Sequence, residues 1–437
     1  MNNSGSLNLH PPALVLLGLY SALALVSHHV SEPIHFLTAA SLAAGLLVFW
    51  TGIVRNGARL LSFRSMLAYA VIYRIIAVTS APLLEDDYYR FLLDGCVFWA
   101  QGSPYGISPQ SILDMTGSIE ACRDLSLFVN YPEVETIYPP VLQGIFAFAW
   151  MVSGDSLVGL KIIFAVLDVL IILLMTRFCR PSGVLLYAWC PLVIKETVIN
   201  AHPDVVGIVF LLAAFTALTS GRFRTSVVFL ATACASKVFA WILAPLLLLY
   251  IPKRAWPIFP VVLCIIYLPF LISGAADFST LGLFAQHWQF NHSLFGLLDT
   301  VLADQPARVI SLLLFATVWG AMMIASLRYV SRNDIHWVPV FATIVYMAFF
   351  LLSPVVNAWY LIWMLPFAAA TGLVSPWVWS IAIVLSYYTG IGLPASLLEA
   401  YQIHPWAYAL QYCALAVAIW FDLRSVSNKK KLNLQIP

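Results

Sequence analysis

The sequence predicts an all-α polytopic membrane protein, a bundle of about 12–14 transmembrane helices with an acidic first large loop on the outer face. Three observations carry this prediction. Of the 437 residues, 62% are hydrophobic and only 10% charged, whereas a soluble domain carries about 25% charged residues. Apolar runs approaching the roughly 20 residues that a helical crossing needs recur along the whole chain. Basic and acidic residues also segregate between the connectors. The 22 basic and 20 acidic residues are too few to cover a water-soluble particle of 48.4 kDa. A soluble enzyme, a nucleic-acid binder and a disordered chain are thereby excluded. The net charge of +2 says less than the places where the charges stand.

The elements follow in order. Residues 12–28, 34–54 and 64–84 are apolar runs; the first has no basic leader and no small-residue cleavage site, so it reads as a retained span. Residues 85–136 form a 52-residue loop with nine acids and two basic residues. Residues 137–176 hold two apolar runs split by Gly154-Asp155-Ser156. Runs at 182–199 and 204–219 flank the turn His202-Pro203-Asp204. The stretch 225–251, interrupted by Ser236-Lys237, reads as two short crossings with Lys237 near the turn. A run at 256–273 leads to a second outer loop, 274–306, and runs at 307–327, 336–352, 358–374, 376–394 and 405–422 complete the chain. Fifteen of the 22 Lys and Arg lie in short connectors, among them Arg55, Arg59 and Arg64, Arg222 and Arg224, Arg328 and Arg332, and Lys429 to Lys431. The positive-inside rule puts these connectors and both termini in the cytoplasm if 137–176 crosses an odd number of times. The acidic loop then faces outward, with shorter outer turns at Ser353 to Asn357 and Glu399 to His404. Without a periodic repeat or a soluble segment, residues 1–437 read as a single membrane domain.

Most of the seven cysteines lie in apolar runs and read as buried thiols. Cys96 and Cys122 share the acidic loop, where spacing permits a disulfide without deciding it.

The densest constellation is Glu85-Asp86-Asp87-Tyr88-Tyr89-Arg90, continuing to Asp94-Gly95. On a helix Asp87, Arg90 and Asp94 share one face. Adjacent carboxylates at a membrane surface suit deprotonation of a hydroxyl or, if a metal takes part, a divalent cation on Asp86 and Asp87. The structural alternative is an acidic helix start. Lys237 interrupts an apolar stretch, and an intramembrane cation suits a lipid-borne phosphate; snorkelling to the interface is the alternative. His202-Pro203-Asp204 either opens a helix or puts His202 or Asp204 beside the carboxylates. Tyr138-Pro139-Pro140 marks a helix start, with Tyr138 available to a sugar. In Gln286 to Ser293, Trp288, Asn291 and His292 mix an aromatic surface with hydrogen-bonding groups, as sugar binding requires; Asn357 to Tyr360, with Trp359 and Tyr360, does the same. Interface belts are the alternative for both. Arg74, Lys161 and Asp168 are also intramembrane, and the last two, seven apart, read as a structural contact. No Walker motif, GxGxxG or GxSxG is present, so nucleotide use has no support.

The series Asp86-Asp87-Tyr88-Tyr89-Arg90, Asp94-Gly95, Gly102-Ser103-Pro104-Tyr105 and Tyr138-Pro139-Pro140 resembles the GT-C superfamily of glycosyltransferases. Within it, the likeness is to bacterial polyprenol-phosphate-mannose-dependent mannosyltransferases. The resemblance implies a GT-C-like bundle in the bacterial cytoplasmic membrane, its site facing the periplasm or exterior rather than the endoplasmic reticulum lumen. It implies transfer of a sugar, mannose first, from a polyprenyl-phosphate donor to a glycan or glycolipid acceptor, with inversion. No nucleic acid takes part, and membrane lipid is the surrounding partner. Asp87 or Asp86 would be the base; Lys237, Arg90 and His202 would contact the donor phosphate; Asp94, Tyr105, Tyr138, Asp204, Trp288, Asn291, His292, Trp359 and Tyr360 would contact substrate. Cys96 departs from the pattern, standing where an arginine is expected after Asp-Gly. A second class is a transporter or flippase of a lipid-linked or amphipathic solute, with Lys237, Arg74 and Asp168 as pathway charges.

Overall fold

A computed structural model describes residues 10–28, 62–272, 279–330, 334–389 and 401–431. The predicted span 34–54, Arg55, Arg59, Arg332, Glu399 and the last five residues of the run 376–394 lie outside the described residues. The chain is helical, as composition predicts, and among the described residues β pairing is confined to two isolated bridges, Phe290 with Val355 and Thr389 with Ile403.

Helices α1 (His10–Ser27) and α2 (Phe63–Thr79) pair through the Tyr73 hydroxyl, which donates to the Ala13 carbonyl at 2.8 Å. After the acidic segment, α3 (Tyr88–Gln101) ends at Gly102, whose φ of 78° is the left-handed stop that glycine accepts without strain. Helix α4 (Pro140–Ser153) starts on Pro140, at the one helical position where a missing N–H costs nothing. Next come α5 (Val158–Met175), then α6 (Pro181–Ala188) and α7 (Pro191–Ile194), the last running into a π-helical turn, Lys195–Ile199. Helix α8 (Asp204–Thr219) is buried on nearly all sides and packs on α5 and on α9 (Phe223–Cys234). Helix α10 (Phe239–Leu249) follows a break that contains Lys237, as the interrupted run predicts. The rest comprises α11 (Ile258–Ile272), α12 (Ser279–His287), α13 (Leu294–Leu302), α14 (Asp304–Val330), α15 (Val338–Leu352), a 3₁₀ turn Ala358–Trp363, α16 (Leu365–Thr371), α17 (Ser375–Ala382) and α18 (Pro405–Lys431).

Five of the described helices are long and apolar enough to cross a membrane, and the α6–α7 pair, bent by 45°, makes a sixth if it counts as one span. Runs that look like uniform spans in sequence break into shorter pieces at Pro, Ser and Lys, and six apolar helices fall below full length. Broken and short helices are tolerated where other helices cover them, as α8 is covered.

Polar contacts lock the bundle. Arg74 on α2 donates through Nε to Asp168 Oδ2 on α5 at 2.8 Å, and the Tyr187 hydroxyl donates to Asp168 Oδ1 at 2.8 Å. Arg74 also donates to the Ala188 carbonyl. The expected Lys161–Asp168 contact is therefore corrected: Lys161 donates to the Ser80 carbonyl instead. Seven residues are about 10 Å of helix, and α2 brings Arg74 closer to Asp168. Arg74 and Asp168 close on each other, leaving no exposed charge for a transport pathway.

Cys96 and Cys122 form a disulfide, with Cα atoms 5.8 Å apart. It fastens the 3₁₀ turn Ser118–Cys122 to α3, so the residue in the family's arginine position holds the loop together.

Candidate active site

The acidic loop, the α12–α13 loop and the 3₁₀ turn Ala358–Trp363 surround a cavity of about 800 Å³. Glu85, Asp86, Asp87, Arg90 and Tyr138 line it, together with His287, Trp288, Asn357, Trp359 and Tyr387. The acidic wall of the sequence motif and the aromatic wall of Trp288, Trp359 and Tyr387 thus share one space of ligand size. Backbone strain collects around it. Leu84, Tyr131 and Ala201, none of them glycine, have φ of 66°, 55° and 55°. Such residues cluster where the fold over-determines a site.

Asp87 precedes α3, whose first turn hydrogen-bonds back to it: the Arg90 N–H donates to the Asp87 carbonyl at 3.0 Å. Burial, reinforced by the Asp86 charge, raises its carboxyl to about 6 against the pull of Lys237 and Arg90. Asp86 is raised by burial less the effect of Asn130, whose amide donates to its Oδ1 at 2.6 Å. Burial, with the Asp87 charge second, pushes Glu85 well up. A carboxyl near 6 is ionised at neutral pH yet basic enough to take a hydroxyl proton.

Behind this wall Lys237 donates to Asp204 Oδ2 at 3.0 Å, and the Trp363 indole donates to Oδ1 at 2.6 Å. The Lys237 ammonium stands 5.4 Å from the Tyr138 ring centroid. Lys237 and Asp204 therefore reach the cavity as charges behind Tyr138 rather than as lining groups. Arg90 lines it directly while donating to the Val134 carbonyl at 2.9 Å. Burial, with Lys237 and Lys195, pushes the His202 imidazole well down. A neutral ring is no cation for a phosphate. His202 instead stacks on Trp359, with ring centroids 3.9 Å apart.

Asp94 is buried on α3 and accepts from Thr136 and from Gln143, so it fixes the loop to α4. Tyr105 donates to the Tyr138 carbonyl at 2.7 Å and orients that residue. Asn291 and His292 do not line the cavity. Asn291 is buried: its amide donates to the Val356 carbonyl, its Oδ1 accepts from Gln411, and Tyr412 donates to its carbonyl. Tyr408 donates to the His292 carbonyl. Tyr360 packs on Phe239 behind Trp359. Composition suggested sugar contacts in both segments, but only Trp288 and Trp359 of those named present a surface to the cavity. Among the described residues no group of three His, Cys, Asp or Glu is gathered as a metal ion needs.

Sequence reasoning missed Lys195, Glu196 and Tyr387. Lys195 and Glu196 are buried on the π-helical turn, and the Tyr387 hydroxyl donates to Glu196 Oε1 at 2.8 Å. The signal was a charged pair inside the span-length run 182–199, where ionisable residues point to function.

Comparison with protein families matches residues 13–253 to the MptA_B family, described as the alpha-(1->6)-mannopyranosyltransferase N-terminal domain. No curated protein and no solved structure matches the chain. The matched stretch exceeds half the chain and runs from α1 past Asp86, Asp87, Asp204 and Lys237. The protein therefore belongs to the alpha-(1->6)-mannopyranosyltransferase family and is a multi-pass membrane mannosyltransferase.

Proposed function

We propose that the protein moves mannose from a polyprenyl-phosphate donor to a lipid-linked or glycan acceptor on the outer face of a bacterial cytoplasmic membrane. The observation that carries this reading is Asp87, raised to about 6, on the wall of a cavity that Trp288 and Trp359 also line, offering indoles to a sugar. Asp87 takes the proton of an acceptor hydroxyl. The oxygen attacks the anomeric carbon as the bond to the phosphate oxygen breaks, and the phosphate leaves with its electron pair. A single displacement inverts the anomeric centre. Arg90 contacts the departing phosphate, and Lys237 balances the charge from behind Tyr138. The leaving group is already an anionic ester and needs no general acid. The outer location is supported by the charge sorting of the connectors and by the Cys96–Cys122 disulfide, since such bonds persist in oxidising compartments.

Product analysis with radiolabelled polyprenyl-phosphate mannose and a membrane extract tests the donor; absence of mannosyl product overturns it. Asp87→Asn should lower kcat by about 10²–10⁴ while the protein still inserts, and full activity would reject the base. Lys237→Ala should raise the KM for donor more than for acceptor; equal effects would reject its phosphate role.

A further inference from the structure

Glu196 is fully buried, and four side chains converge on it, Lys195, Asn200 and His202 from its own turn and the residues just after it and Tyr387 from 191 residues away. Lys195 donates to Oε1 at 2.7 Å and Tyr387 to the same oxygen at 2.8 Å; Asn200 donates to Oε2 at 3.1 Å, and His202 Nε2 lies 3.5 Å from Oε2. Between them the contacts lead to both walls of the cavity. Asn200 Oδ1 accepts from the Leu83 N–H at 3.0 Å, just before Leu84 and the acidic triplet. Tyr387 lines the aromatic side, and the Lys195 ammonium lies 3.8 Å from its ring centroid. His202 stacks on Trp359, which also lines that side, while its backbone N–H donates to the Glu196 carbonyl at 2.9 Å. The π-helical turn Lys195–Ile199 closes around this group: the Asn200 N–H bonds back to Lys195 at 2.9 Å. Single π turns occur frequently at functional sites.

A buried carboxylate is costly unless its oxygens are satisfied and its charge is matched. Here Lys195 matches the charge, and Tyr387 and Asn200 complete the hydrogen bonds. General packing does not require this arrangement, because all three contacts occur at one point behind one cavity.

We propose that Glu196 is a positioning residue for mannosyl transfer, setting the acidic wall through Asn200–Leu83 and the aromatic wall through Tyr387 and the His202–Trp359 stack. The inference rests on the cavity being the transfer site. It gives the two walls separable signatures. The acidic wall carries the base, so loosening it lowers kcat; the aromatic wall carries the sugar contact, so loosening it raises the acceptor KM.

The test compares Asn200→Ala, Tyr387→Phe and Glu196→Gln, purified in detergent, with wild-type protein on polyprenyl-phosphate mannose and a mannoside acceptor. Asn200→Ala should lower kcat about tenfold with the acceptor KM within twofold, and Tyr387→Phe should raise that KM about tenfold with kcat within threefold. Glu196→Gln should do both, and adding either other substitution to it should change little further, as residues acting through one group are non-additive. Glu196→Gln that stays within twofold of wild type in both constants overturns the proposal. Losses that merely follow a lowered melting temperature, with kcat and KM changing alike in all three variants, also overturn it. A wild-type protein that transfers no mannose overturns the transfer reading first, and this inference with it.

Discussion

At the scale of the residue, burial and the neighbouring Asp86 charge hold the Asp87 carboxyl at about 6. Hydroxyl deprotonation needs the ionised form, so kcat/KM should fall as pH drops through about 6; a profile flat from pH 5 to 8, about one unit below to two above, would rule out Asp87 as the titrating base. The same shift acts on stability with its own sign. The folded value exceeds the ordinary carboxylate value, so the contribution of Asp87 to the folded state is fully present below that ordinary value and is lost as pH rises through about 6. Asp87→Asn should therefore melt no lower than wild type at neutral pH while losing transfer, which thermal unfolding in detergent checks. The adjacent acids were legible in the sequence because charges are scarce in a chain of this composition. Asn291 was misleading for a related reason: amide and aromatic composition suits a sugar, but Gln411, Tyr412 and Val356, distant in sequence, occupy its hydrogen-bonding groups.

Among the elements, α3 owes its place to two neighbours. A Cβ on Gly95 would stand 2.5 Å from the Phe146 carbonyl oxygen of α4, and backbone cannot swing aside as a side chain can. Gly95→Ala should lower stability by about 1–3 kcal/mol, read by thermal melting, and reduce transfer by displacing α3 and its acidic start. The disulfide spans 26 residues, and in the chain-entropy account closing such a loop stabilises by about 3.5 kcal/mol. Cys96→Ser with Cys122→Ser should lower the melting temperature, and reductant should reproduce the effect in wild type but add nothing to the variant. Asp-Gly was readable as a motif, but the reason for its glycine was not, because the crossing partner lies about fifty residues on. The break at Lys237 was readable, since a charge cannot be passed over inside an apolar run. The π-helical turn had no comparable mark.

In the whole molecule, Arg74 and Asp168 tie α2 to α5 in a buried ion pair, 2.5 Å from Arg74 Nη2 to Asp168 Oδ2. Removing one partner leaves an uncompensated charge inside the bundle at a cost of about 3–5 kcal/mol. Arg74→Ala should thus reduce the amount of folded protein extracted from membranes, measured by size-exclusion chromatography, whereas replacing both residues by apolar ones of similar volume should restore it. The fold class followed from composition, apolar runs and charge sorting, but the pairing did not, because spacing along one helix favoured Lys161 and the partner came from another. Helix α14 adds a consequence of a different kind. Its uncharged stretch between Arg308 and Arg328 reaches about 29 Å, matching about 30 Å of hydrocarbon, and its flanks are almost wholly uncovered. Its N-terminal end grips the cavity rim: Asp304 accepts from Gln289 at 2.7 Å, and Arg308 donates to the Trp288 carbonyl at 3.2 Å. A bilayer thinner or thicker than this stretch strains the match between helix and lipid, so lipid chain length becomes an input to the position of Trp288, and turnover in vesicles should pass through an optimum as the acyl chains are lengthened.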